Sequence, residues 1–360
     1  MAVQNEKRIT REIYIGKPNK GTVIVGGNYP IAIQSMCNTK THDWKTTVEQ
    51  IHALEKEKCE IVRVAVPDFE SAKALPKIIE NINIPLVADI HFDHRLAVES
   101  IKNGVDKIRI NPGNIGASEK VEEVVNAAKK AGVVIRIGIN AGSLEKELLE
   151  KHGHPTPEAL IESAENGIKF CEKLGFHDIV VSLKTTEVLD FIRAHRMFAD
   201  NCEYPLHVGV TEAGTLIPGV VRNAIGVGTL LQEGIGNTIR VSLTADPVQE
   251  IKAAKEILKA LDMYHKEPII KSCPTCSRTE INVETLAHEV EKLTAHIEKP
   301  IKIAVMGCVV NGPGESREAD YGIAGGRKHG ALYRKGEFVK TVPESKLLDE
   351  LLTLIKQDHA

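Results

Sequence analysis

No stretch of this 360-residue sequence approaches the roughly 20 consecutive apolar residues of a membrane helix. A spanning segment is therefore not expected. Aromatic residues are scarce, 4% of the chain with a single tryptophan, so a platform of rings for stacking nucleic-acid bases is not expected either. There is no excess of positive charge: the formal balance is −3, which supplies no field for nucleic acid or an anionic membrane. The opening residues, "MAVQNEKRITREIYIGK", lack the apolar core of a secretory signal, and the expected location is the cytoplasm. In a reducing compartment the seven cysteines are thiols or metal ligands rather than a disulfide framework.

What the chain does have is rhythm. Short Ile/Val-rich runs begin at residues 31, 61, 86, 107, 134, 179, 206 and 238, with amphipathic stretches such as "SEKVEEVVNAAKKAG" between them. Eight βα units over about 240 residues are what a TIM barrel requires. The wide gap after residue 140 holds "AGSLEKELLEKHGHPTP", which reads as an insertion following the fifth strand. A doubly wound open sheet is the alternative, but no GxGxxG phosphate loop follows the first strand. Past residue 262 the pattern changes, and the division expected is a barrel over 1–264 followed by a small α+β domain over 265–360. There "GIAGGRKHG" reads as turn glycines beside a hairpin rather than a phosphate loop.

Strand parity indicates what fills the barrel. Side chains alternate across a strand, and the apolar set must meet the helices, so the polar set faces the axis. This places Arg63, Lys107, Arg109, Asn111, Arg136, Asn140, Ser182, Lys184, Arg240 and Ser242 inward, with Asp89, His91 and Glu212 at strand ends. Five of the cations, Arg63, Arg109, Arg136, Lys184 and Arg240, cluster towards the C-terminal mouth. Asp89 and Glu212 could neutralise two of them. Burying the rest unpaired would cost several kcal/mol per ion, so an anionic ligand is expected, and guanidinium forks suit phosphate oxygens. Glu212 is the candidate for proton transfer at the mouth. His207 sits on the opposite parity to Glu212, so one of the two should face away unless the strand twists.

The second domain carries "SCPTC" at 272–276 and "GCVVNGPGE" at 307–315. C-x2-C serves redox disulfides, zinc and iron–sulfur clusters alike. A redox pair leaves Cys308 unexplained, and zinc needs a fourth ligand, for which only the distant His288 and His329 offer themselves. Cys37, Cys59, Cys171 and Cys202 fall in the barrel and read as core thiols. The remaining candidate set is Cys273, Cys276, Cys308 and Glu315, with the glutamate carried by a Gly-Pro-Gly turn. Three thiolates and one carboxylate would hold a [4Fe–4S] cluster with one exchangeable corner. Asn311 either forms the turn or hydrogen-bonds near the cluster.

The motifs "SCPTCSR", "MGCVVNGPGE", "RINPGN", "IRIGINAGSL", "SLKTT" and "HVGVTEAG" resemble those of the (E)-4-hydroxy-3-methylbut-2-enyl diphosphate synthase family, over nearly the whole chain and in its two-domain bacterial form. That resemblance implies a TIM barrel followed by a cluster domain resembling half of a sulfite-reductase-like unit. It also implies a [4Fe–4S] cluster on Cys273, Cys276, Cys308 and Glu315. The substrate would be 2-C-methyl-D-erythritol 2,4-cyclodiphosphate, its diphosphate meeting Arg63, Arg109, Arg136, Lys184 and Arg240. Asp89, His91, Asn111, Asn140 and Ser242 match further binding positions. The reaction implied, in non-mevalonate isoprenoid biosynthesis, opens the ring and removes a hydroxyl with two electrons from reduced flavodoxin or ferredoxin. The assembly implied is a homodimer in which one chain's cluster domain closes over the other's barrel.

Overall fold

The computed structural model describes residues 6–17 and 21–359. Two compact units divide the chain at Leu261/Asp262. The first begins with an antiparallel hairpin, β1 (Ile13–Ile15) and β2 (Val23–Val25). Eight parallel strands follow: β3 (Ala32–Met36), β4 (Ile61–Ala65), β5 (Leu86–Asp89), β6 (Lys107–Ile110), β7 (Val134–Asn140), β8 (Ile179–Lys184), β9 (His207–Val208) and β10 (Thr238–Ile239). β10 pairs with both β3 and β9, and a parallel bridge from Val181 to Leu206 joins the last edge. The sheet thus closes into a (β/α)8 barrel with no free edge to protect.

Several of the helices between the strands begin where the sequence offers a cap. Asp68 accepts from the Ser71 N–H at 2.8 Å, Thr156 from Ala159 at 3.1 Å and Asp246 from Val248 at 2.8 Å, each satisfying a first-turn donor. The gap after Asn140 is filled by a 3-10 turn (Ala141–Ser143) and a short helix (Lys146–His152), as an insertion.

Strand parity does not disclose the N-terminal hairpin. Its Ile13, Ile15 and Val25 pack against Ala32, Ile61, Val87, Val134 and Val180, which form the lower apolar layer of the barrel. The hairpin therefore plugs the N-terminal end, leaving the polar interior to face the C-terminal mouth. The last two strands are also shorter than the runs 206–212 and 238–244 suggest. The Val210 N–H goes to Asn223 Oδ1 at 3.1 Å and the Leu243 N–H to Glu250 Oε1 at 3.1 Å, so side chains take the donors that a longer ladder would use.

The second unit is a five-stranded mixed sheet of β11 (Ile269–Ser272), β12 (Lys302–Met306), β13 (Tyr321–Gly326), β14 (His329–Arg334) and β15 (Glu337–Pro343) in that order. The first three run parallel and the last three form an antiparallel meander. Alternation along β12 sends Ile303 and Val305 to a core shared with the helices Val283–Thr294 and Leu347–His359. Ala304 and Met306 join Ala319 in a separate small cluster. The Gly-Pro-Gly segment is not an isolated turn. It begins a short helix, Gly312–Arg317, in which proline suits the first turn because its missing N–H would have no partner there.

Candidate functional site

Charge dominates the barrel interior. Arg63, Lys107, Arg109, Arg136 and Lys184 are all buried, and among the described residues the buried carboxylates are Asp89 and Glu250. Asp89 lies 3.3 Å from the Arg109 guanidinium and 3.7 Å from Arg63 Nε. Burial alone would raise its carboxyl pKa, but Arg63, Arg109, Arg136 and His91 together draw it down to about 2. Arg109 also donates to the Gly138 carbonyl at 3.0 Å. A Cβ at position 138 would stand 2.4 Å from Arg109 Nε, so only glycine lets the guanidinium lie there.

Sequence reasoning assigned the second neutralising carboxylate to Glu212, and the structure corrects this. Glu212 is exposed in a left-handed conformation (φ 51°) and accepts a 2.8 Å hydrogen bond from the Thr186 hydroxyl. The acid for Arg240 is Glu250, on the helix Pro247–Ala260, with a two-pronged contact at 2.9 and 3.1 Å. Glu250 also accepts from the Ser35 hydroxyl at 2.8 Å. A signal for it was present: Glu250 occupies the buried face that Pro247, Ala254 and Ile257 define, where helical periodicity calls for an apolar residue.

Arg136 is left without an acceptor. It is 0% exposed, and none of its three guanidinium nitrogens has a hydrogen-bond partner among the described residues. Desolvation first, then Arg63 and Arg109, press its pKa well below the ordinary arginine value, and Lys184 is pressed the same way by burial and the arginines around it. A guanidinium does not shed its proton in a protein, so the relief available is an incoming anion. Lys184 makes one long contact, 3.5 Å, to the Gly209 carbonyl.

The other interior positions complete the lining. Asn111 is buried, accepts from the Gly113 N–H and donates to the Ser143 carbonyl, each at 3.2 Å, which ties it to the insertion. Asn140 Oδ1 and Ser182 Oγ are buried without partners among the described residues. Ser242 is half-buried, and His91 is exposed with its Nε2 3.9 Å from Asp89. His207 is the member of its strand that faces inward. It is fully buried, bonded through Nδ1 to the Thr238 hydroxyl at 2.6 Å, and held neutral by desolvation and by Arg136, Lys184, Lys107 and Arg63.

In the second unit, Cys273 directly follows β11, and Gly307 and Cys308 directly follow β12. Ser272 pairs with Val305 in this parallel ladder, so the two thiols leave the same end of neighbouring strands. The Gly307 N–H donates to Cys273 Sγ at 3.2 Å, which ties the sulfur to the end of β12. Cys276 is exposed, and hydrogen bonds from Arg278, with help from Thr279, hold its thiol below the ordinary value. Glu315 lies exposed in the first turn of the helix Gly312–Arg317, which is pressed onto the sheet where a Gly312 Cβ would meet the Ala324 Cβ at 2.7 Å. Asn311 precedes that helix without a side-chain cap bond.

Among the described residues no three Cys, His, Asp or Glu side chains gather around one point as a single ion would require. His288 lies 3.5 Å from Glu291 and His329 bonds the Arg327 carbonyl at 3.1 Å. A cluster spreads its ligands around a cuboid of iron and sulfide rather than one centre. Cys273 and Cys308 just past strand ends, Cys276 in the loop after β11 and Glu315 on the short helix make a donor set of that chemical kind. Cys37, Cys59 and Cys171 are buried in the barrel and Cys202 is half-buried.

Comparison with known proteins gives a consistent picture. The family model described as the GcpE TIM-barrel domain matches residues 10–255, and the GcpE protein C-terminal domain matches residues 269–357. A Caldanaerobacter subterraneus protein named 4-hydroxy-3-methylbut-2-en-1-yl diphosphate synthase (flavodoxin) is 57% identical over 98% of both chains. A Clostridium perfringens protein of the same name is 56% identical over 94% of this chain and 97% of its own. Among solved structures, a Clostridium difficile type I 3-dehydroquinate dehydratase is 18% identical, covering 70% of this chain and 98% of its own with a TM-score of 0.51. Yersinia pestis dihydropteroate synthase is 13% identical, covering 70% and 99% with a TM-score of 0.50. The last two likenesses are of barrel fold alone.

Proposed function

The chain belongs to the GcpE family, and on that premise we propose how its residues divide the work of the family's reaction. The chain is an iron–sulfur oxidoreductase of non-mevalonate isoprenoid biosynthesis. It converts 2-C-methyl-D-erythritol 2,4-cyclodiphosphate to (E)-4-hydroxy-3-methylbut-2-enyl diphosphate. Two electrons and two protons enter, the cyclic carbon–oxygen bond to phosphate breaks, and the hydroxyl leaves as water.

In the proposed division, Arg63, Arg109, Arg136, Lys184 and Arg240 clamp the diphosphate. Asn111, Asn140, Ser242, Asp89 and His91 orient the carbon skeleton through its oxygens. The observation that carries this is Arg136, buried without an acceptor among the described residues beside a surplus of cations that Asp89 and Glu250 cannot balance. Clamping fixes the reacting bond in place, which is worth more than affinity alone. Glu212, exposed at the rim and hydrogen-bonded to Thr186, delivers a proton to the departing hydroxyl.

Cys273, Cys276 and Cys308 would hold the [4Fe–4S] cluster with Glu315 as the exchangeable fourth ligand. When bound, that group supplies the electrons one at a time. The donor is reduced flavodoxin, the carrier that the relatives' names specify. No helix among the described residues is long and apolar enough to cross a membrane, and the proposed location is the cytoplasm. A homodimer is proposed as well. Ile217, Val221 and Ile225 recur every fourth residue along the helix Leu216–Gln232 and are 75%, 51% and 52% exposed, an apolar stripe suited to a second copy.

Anaerobic turnover of the cyclic diphosphate tests the reading. Product should form only with reduced flavodoxin and only with Cys273, Cys276 and Cys308 intact. Product formed without a reductant would contradict it.

A further inference from the structure

Met36, the last residue of β3, has its sulfur between two of the proposed clamp arginines. Sδ accepts from Arg63 Nε at 3.1 Å and lies 3.6 Å from Arg240 Nη1. Each guanidinium is anchored on another side by a carboxylate, Arg63 by Asp89 at 3.7 Å and Arg240 by Glu250 at 2.9 Å. Two cations, one on β4 and one directly after β10, are thus drawn towards one uncharged atom, and Met36 is half-buried rather than sealed in the core. A thioether is a weak acceptor on a flexible stem, so it yields readily to a stronger one.

We propose that Met36 is a modification site: its sulfur marks the place where a phosphoryl oxygen bridges Arg63 and Arg240, and its oxidation to the sulfoxide closes that place to the substrate. The inference rests on the reading that these arginines bind the diphosphate. The oxidant is a peroxide. A sulfur lone pair attacks one oxygen of hydrogen peroxide, the O–O bond breaks as the S–O bond forms, and the second oxygen leaves as hydroxide, which takes the transferred oxygen's proton and becomes water. Sulfur loses two electrons and the peroxide gains them. The sulfoxide oxygen is a strong acceptor built on the same side chain, and two charge-assisted N–H bonds would hold it where the phosphoryl oxygen must come. Reduction by a methionine sulfoxide reductase reverses the block.

The test uses the full-length protein and inorganic pyrophosphate as the probe, titrated by calorimetry before and after brief hydrogen peroxide treatment. Mass spectrometry should find one added oxygen on the Met36 peptide, and pyrophosphate affinity should fall roughly tenfold or more, the worth of a charged hydrogen bond. Sulfoxide reductase should restore it. In Met36→Leu, peroxide should leave the affinity of the variant where it stood before treatment. Cluster damage is common to both proteins and cancels in that comparison. An equal loss in Met36→Leu, or an oxidised Met36 with undiminished affinity, would overturn the proposal. If pyrophosphate does not bind the untreated protein, the anion-site reading itself fails and this inference with it. The reductase step makes the test independent of how well the variant folds.

Discussion

The two units solve opposite problems. In the barrel, the side chains proposed to bind substrate are mostly buried, crowded with like charge, and anchored by Asp89, Glu250 and the Gly138 carbonyl. In the second unit the proposed ligands lie just past strand ends, in a loop and on a short helix, and Cys276 and Glu315 are open to solvent. The barrel maintains its charge at a cost to stability, which an anionic ligand would recover. The second unit carries no such stored cost, because a metal cluster brings its own bond energy. Binding power is therefore built into the barrel fold, whereas electron delivery depends on a group that the fold receives.

That contrast can be broken experimentally. The largest effect is expected at Glu315. With Glu315→Cys, the protein should keep its iron and visible absorbance yet lose most turnover, because a thiolate would not exchange as a carboxylate does. Loss of iron together with activity would mean instead that the position is needed for assembly.

Arg136→Met should act in the opposite sense on fold and function. Removing a buried charge without an acceptor is expected to raise unfolding stability by about 1–4 kcal/mol in urea titrations, the range found when buried charges give way to apolar groups. The same variant should weaken pyrophosphate binding by roughly 100-fold, the worth of a charge-assisted bidentate contact. A variant both less stable and still able to bind would show that Arg136 is structural.

Glu250→Gln keeps the shape of the Arg240 anchor and removes its charge. A rise in KM of about tenfold with little change in kcat is expected, because the guanidinium would be less well placed for ground state and transition state alike. A drop confined to kcat would place Glu250 in the chemistry rather than in positioning.

The smallest effect on turnover is expected at His195, which bonds the Phe191 carbonyl at 2.8 Å on the helix Val188–Ala199. Burial lowers its pKa to about 4. The unfolded chain, with an ordinary histidine near 6.5, takes up a proton first as pH falls. Stability is thus full above about pH 6.5 and declines towards pH 4, by on the order of 3 kcal/mol. Denaturant titrations across that range should show the slope, and His195→Gln should flatten it without touching neutral-pH turnover.

How much of this was legible in sequence follows the same division. Alternation in "TIRVSLT" and "KIRINPG" was enough to turn Arg240 and Arg109 inward, because a closed parallel barrel leaves each strand only two faces. Glu250 was missed because it reaches the interior from a helix, and strand parity is silent about helices. Glu212 was preferred to His207, yet His207 is the one buried inside, since β9 ends at Val208 and the chain then twists through left-handed Glu212, which parity does not anticipate. The hairpin Ile13–Val25 was missed because its two three-residue strands are too short to show a period. In the second unit the cysteine spacing pointed to ligand or redox chemistry without choosing between them, and the Gly-Pro-Gly segment was read as a turn when packing against Ala324 makes it a helix start.

The proposed reading joins two parts, a diphosphate site on the barrel cations and a cluster with one exchangeable ligand. Mössbauer spectroscopy of the reconstituted, iron-57-labelled protein, with and without the cyclic diphosphate, tests it most directly. One iron should be distinct from the rest, and its signal should change when substrate is added to the wild-type protein but not to Arg136→Met. Equivalent irons throughout, or a distinct iron indifferent to substrate, would contradict the account.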